Sequence, residues 1–204
     1  MRKPKISKPW EPALSPLVVD RFVEYCKGTY EIWQTLLALF GDRQKAEMTI
    51  KSPFPHFFQK VRDAFVASFQ LHIARLHDDH VVQGRINLTY SYILTFGGWD
   101  KETRKKLNEQ LKKMSYLYGR IKKARNKYFA HNDLEAYIHE LRLGGYKAGK
   151  DKEYFDHLEV FLDIVQSKTI RKSFKFPDVA KIDGEAFFDR LVSAKLLGSN
   201  PERN

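Results

Sequence analysis

Apolar residues recur at helical spacing along most of the chain. After Ser15-Pro16, a good N-cap followed by a proline suited to the first helical turn, Val19, Phe22, Val23, Cys26, Tyr30, Trp33 and Leu37 mark one stripe up to Phe40. Gly28 interrupts this stripe as a candidate kink or division, and Gly41-Asp42 ends it. A loop containing Pro53 and Pro55 is expected next. A second helix is predicted from about Phe57 to His77, with Phe58, Val61, Phe65, Phe69, His72 and Leu76 on one side. A short helix over Asn87–Phe96 stops at Gly97-Gly98, and Asp100 is a natural N-cap for a long helix reaching the vicinity of His131. Beyond the glycines at 144, 145 and 149, helices are predicted over about Lys152–Ser167 and Gly184–Leu197. No stretch alternates convincingly as a strand, and no repeat is visible. The pattern predicts an all-α bundle of five to six helices. Its expected organisation is an irregular basic arm at residues 1–13, one helical domain over 14–198 and a flexible tail at 199–204.

Composition narrows the class. The 204 residues are 43% hydrophobic and 30% charged, ordinary for a globular chain. Cys26 is the single cysteine, so no internal disulfide can form; it lies on an apolar stripe and reads as a core residue. No apolar run approaches the roughly 20 residues of a membrane helix, so no membrane association is expected. Met1–Trp10 is basic and proline-containing with no apolar segment behind it, so it does not read as a secretory signal, and the cytoplasm is the expected location.

Charge changes the picture more. The net charge is +11 and the pI about 9.6, a balance that suits a polyanionic partner, nucleic acid before anionic membrane. The excess is concentrated. Asp100–Lys127 holds eleven basic residues (Lys101, Arg104, Lys105, Lys106, Lys112, Lys113, Arg120, Lys122, Lys123, Arg125 and Lys127) against Asp100, Glu102 and Glu109, a surplus of eight on one predicted helix. Its apolar positions, Leu107, Leu111, Met114, Tyr118 and Ile121, step by 4, 3, 4 and 3. The same rhythm next reaches Arg125, an arginine where the pattern predicts burial or a facing helix.

Arg125 opens the run Arg-Asn-Lys-Tyr-Phe-Ala-His, followed by Asn132-Asp133. This string, Arg-Asn followed after four more residues by His at the end of a long helix, resembles the HEPN superfamily, and its abortive-infection (AbiU-type) branch most closely. The helical layout before it, with Arg75-Leu76-His77-Asp78, is compatible with that branch. The resemblance implies a HEPN-like bundle and a metal-independent endoribonuclease of the toxin or phage-defence type. Arg125, Asn126 and His131 are its implied catalytic residues, and the implied products are a 2′,3′-cyclic phosphate and a 5′-hydroxyl.

The residue types suit that chemistry. An attacking 2′-OH must lose a proton and the leaving 5′-oxygen must gain one, and imidazole can do either. A guanidinium fork can hold the phosphate, and Asn126 can orient the histidine or bind a phosphate oxygen. Lys122, Lys123 and Lys127 are the expected contacts to the RNA backbone. Tyr128 is a candidate for stacking on an unpaired base, with core packing as its alternative. No cofactor and no metal is called for. On a regular helix Arg125 and His131 lie about 120° and about 9 Å apart, so either the helix breaks near Ala130 or two subunits grip one phosphate. HEPN nucleases resemble the second case, which implies a homodimer with its two-fold axis near His131. An antitoxin or other inhibitory protein is a further implied partner, although Asp133 stands where many antitoxin-paired HEPN proteins have tyrosine.

Other readings stay open: a non-catalytic RNA- or nucleotide-binding module on the same scaffold, or a helical protein that binds an acidic partner. His77-Asp78-Asp79-His80 offers four potential metal ligands, but adjacent residues converge poorly on one ion, and a polar segment at a helix end is the better reading. His56, His72, His139 and His157 have no partner identifiable from spacing.

Overall fold

The computed structural model of the protein describes residues 14–124 and 145–196. The arm at 1–13, the tail at 199–204, and the calls at Arg125, Asn126, Lys127, Tyr128, His131, Asp133 and His139 lie outside the described residues.

Among the described residues there are seven helices: α1 Pro16–Phe40, α2 Arg43–Ile50, α3 Pro55–Leu76, α4 Tyr90–Phe96, α5 Lys101–Ala124, α6 Lys150–Thr169 and α7 Val179–Ser193. The fold is all-α, with one helix more than the six expected. α2 is the addition, within what the sequence reads as loop. Its segment has no apolar stripe. The Asp42 carboxylate caps it by accepting from the Lys45 N–H at 2.7 Å, and Met48 anchors it in the core. The other unforeseen element is a hairpin of β1 Val81–Val82 and β2 Arg85–Ile86, joined through Gln83 and Gly84, both with positive φ. All four strand residues are exposed, so turn chemistry and not burial defines the hairpin.

The expected caps are present. Ser15 Oγ accepts from the Val18 N–H at 3.3 Å with Pro16 at the first position of α1. The Asp100 carboxylate accepts from both the Thr103 N–H and the Thr103 hydroxyl at 2.7 Å, and these bonds hold its pKa below the usual carboxylate value. α1 runs unbroken through Gly28. α7 starts five residues before its predicted start, so Gly184 lies inside it. There it faces α1 so closely that a Cβ would sit 2.6 Å from that of Ala38. The apolar pattern misplaces the start because Val179 and Ile182 are exposed.

α1 packs against α3, α6 and α7, and α5 packs chiefly on α6 and also on α3. One large core joins these helices through residues such as Phe22, Ile73, Leu107, Met114, Phe161 and Val165; a smaller one gathers Leu39, Met48, Phe58 and Phe188. Cys26 is fully buried in the large core, and burial pushes its thiol pKa up. Among the described residues no helix is long and apolar enough to cross a membrane.

Candidate nucleic-acid interface

The buried side of α5 is Thr103, Leu107, Gln110, Met114, Leu117 and Ile121, steps of 4, 3, 4, 3 and 4. Leu107, Met114 and Ile121 are buried as predicted, but Leu111 and Tyr118 flank the core half-buried, and Gln110 and Leu117 are buried in their place. A glutamine is tolerated there because its Oε1 bonds His157 Nδ1 on α6 at 3.0 Å. His157, with no partner evident in the sequence, is thereby placed. Its pKa is lowered, by burial first and the nearby Lys113 charge second.

A helix that buries one side must send its charges to the others. Lys101, Arg104, Lys105, Lys106, Lys112, Lys113, Arg120, Lys122 and Lys123 are all exposed. Three of them are engaged locally. Lys106 pairs with Glu102 at 2.7 Å, Arg104 donates to the Leu94 carbonyl at 2.9 Å, and Arg120 donates to that of Gly145 at 2.7 Å. Among the described residues no carboxylate pairs with Lys105, Lys112, Lys113, Lys122 or Lys123. Lys105, Lys112 and Lys123 lie opposite the buried line, on the face directed to solvent.

α5 and α6 run antiparallel, since Asp100 approaches Lys168 at 3.8 Å, Gln110 meets His157, and Tyr116 lies under Lys150. Charges are mixed at the start of α5, and basic residues predominate at the other end of the pair. A cleft of about 340 Å³ at the start of α5 is lined by Asp100, Glu102 and Asp163 together with Lys106 and Lys168, whereas Lys112, Lys113, Arg120, Lys122, Lys123 and Lys150 belong to the other half of the pair. That basic half leads to Ala124, the residue before Arg125.

The end of α3 closes against this half. Lys122 Nζ lies 5.7 Å from the centroid of the Tyr118 ring, which stacks on His77 at 4.2 Å and 9°. His77 Nε2 shares a 3.1 Å hydrogen bond with the Tyr154 hydroxyl, which in turn meets that of Tyr90 at 2.9 Å. The residue as a whole keeps some accessible surface, but its ring is enclosed by Tyr90, Tyr118 and Tyr154, and burial lowers its pKa to about 3. A neutral imidazole at ordinary pH makes His77 a structural link among four helices. His80 turns instead to Ser91 Oγ at 2.7 Å, so the two histidines of His77-Asp78-Asp79-His80 serve different partners where α3 ends. Among the described residues no three His, Cys, Asp or Glu side chains gather as a metal site. His72 also has neighbours, bonding Thr29 Oγ1 at 3.3 Å and stacking on Tyr25 at 5.0 Å. Sequence spacing missed these links because each partner lies on another helix.

Of the site residues expected from the sequence, the structure therefore places Lys122 and Lys123, both exposed at the basic end of α5. A family model described as AbiU2, a HEPN family, matches residues 18–167. No curated protein and no solved structure gives a match.

Proposed function

The chain belongs to the AbiU2 family of HEPN domains, a helical module of abortive infection, and on that premise we propose that it is a metal-independent endoribonuclease. The observation that carries this reading is the exposed basic half of α5, which ends one residue before Arg125 in the run Arg125-Asn126-Lys127-Tyr128-Phe129-Ala130-His131. In the proposed reaction His131 takes the proton of the attacking 2′-OH or returns one to the leaving 5′-oxygen. Arg125 holds the phosphate and offsets the charge that develops on its oxygens, and Asn126 orients the histidine or binds a phosphate oxygen. The P–O5′ bond breaks as the P–O2′ bond forms, leaving a 2′,3′-cyclic phosphate and a 5′-hydroxyl.

Lys122 and Lys123, with Lys127, supply backbone contacts that do not depend on base identity. The separation of Arg125 and His131 on a regular helix favours a homodimer whose two motifs share a cleft, and an inhibitory protein is the further partner proposed.

The test is to incubate the wild-type chain, Arg125→Ala and His131→Ala with mixed RNA in excess chelator and map the cut ends. Cleavage by the wild type alone, with loss of at least about 100-fold in each variant, is the expected result. Salt-dependent binding by all three proteins with cutting by none would assign the chain as a binding module instead.

A further inference from the structure

Tyr116 is 42% exposed on α5, and its surroundings are not those of a packing residue. Lys150, in the first turn of α6, holds its ammonium 5.6 Å from the ring centroid. The same ammonium pairs with Glu153, so the cation that orders the ring is itself fixed and largely neutralised. Lys112 and Lys113 stand one turn before Tyr116, both exposed and without a carboxylate partner among the described residues. One turn beyond is Gly119, where a Cβ would meet no atom within 4 Å. The helix surface at Gly119 is therefore open.

An exposed aromatic ring held by a cation, next to two ammonium groups with no carboxylate partner among the described residues, suits one chemical class well. A nucleobase stacks on a tyrosine whatever its identity, and phosphates of the same strand meet the lysines. A duplex hides the faces of its bases, so the base must be unpaired. We propose that Tyr116 is a stacking platform for a base of single-stranded RNA, with Lys112 and Lys113 holding the neighbouring phosphates. The platform lies about 12 Å along α5 from Ala124 at 1.5 Å per residue, so the strand would run along the helix toward Arg125. This rests on the reading of RNA as the substrate, and it gives the site a second, remote grip on the strand.

The measurement is fluorescence anisotropy with the full chain carrying His131→Ala, which leaves the probe intact. The probes are a labelled single-stranded RNA of about a dozen nucleotides and the same sequence as a duplex. Adding Tyr116→Ala should weaken single-strand binding about 5- to 100-fold at unchanged salt dependence, with duplex binding unaffected. Tyr116→Phe should bind like its parent, because stacking does not need the hydroxyl. Lys113→Gln should reduce the slope of log affinity against log salt by about 0.7. Unchanged affinity in Tyr116→Ala, or an equal loss on duplex, would overturn the proposal. A parent that binds no RNA overturns both this inference and the RNA reading. Binding through Tyr116 by a chain whose wild type never cuts supports the platform and removes only the nuclease.

Discussion

An imidazole enclosed by three tyrosine rings has no water to stabilise its charged form. His77 therefore stays neutral as the pH falls, until about 3, whereas in the unfolded chain it takes up a proton near 6.5. The sign follows. Above about 6.5 the residue is neutral in both states and its contribution to stability is fully present. Between about 6.5 and 3 the unfolded state binds a proton that the folded state refuses, costing up to about 1.4 kcal/mol per pH unit. Replacing the residue in His77→Phe keeps an aromatic ring against Tyr118 and removes the titration. Chemical denaturation at several pH values should show wild-type stability falling faster than that of the variant over this window. Parallel curves would mean that His77 is not buried as a neutral base. His131 is proposed for the opposite task, to exchange protons, which requires a pKa near the working pH.

At the scale of elements, legibility depended on where each helix found its stability. α1 and α5 were readable because their N-caps, Ser15 and Asp100, are local signals and their apolar stripes are long. α2 was not, because an aspartate cap and one buried methionine make no periodic pattern. In α5 the pattern finds Leu107, Met114 and Ile121, which are buried, but it selects Leu111 and Tyr118 where Gln110 and Leu117 are the buried residues. Hydropathy cannot tell that a glutamine has a histidine waiting on a helix 47 residues away. The basic face itself was legible, since charge needs no partner to be counted. Gly184 shows the reverse failure: read as the start of a helix, it is the point where α7 crosses α1. The variant Gly184→Ala places a methyl group 2.6 Å from the Ala38 Cβ, and overpacking of this kind costs about 1–3 kcal/mol. Its urea midpoint should fall accordingly, and an unchanged midpoint would show that the two helices can separate freely.

Over the whole molecule, charge and topology act together. The antiparallel pairing of α5 and α6 leaves mixed charges where α5 starts and a basic excess at the other end, so a polyanion is drawn toward the end that leads to Arg125. Burial of the opposite face in the main core makes that basic surface a rigid one, supported by α3 and α6. The proposed catalytic chemistry itself was legible only as a resemblance, carried by the short run from Arg125 to His131. Everything specific to ribonuclease action turns on the 2′-hydroxyl as the attacking group. The most direct measurement is cleavage, in excess chelator, of an RNA oligonucleotide cut by the wild-type chain, beside the same oligonucleotide with one 2′-deoxy residue at the cut site. The expected result is a cyclic phosphate on the all-ribose product and no cutting at the deoxy linkage. Cleavage that proceeds through the deoxy linkage, or that leaves a 5′-phosphate, would contradict it.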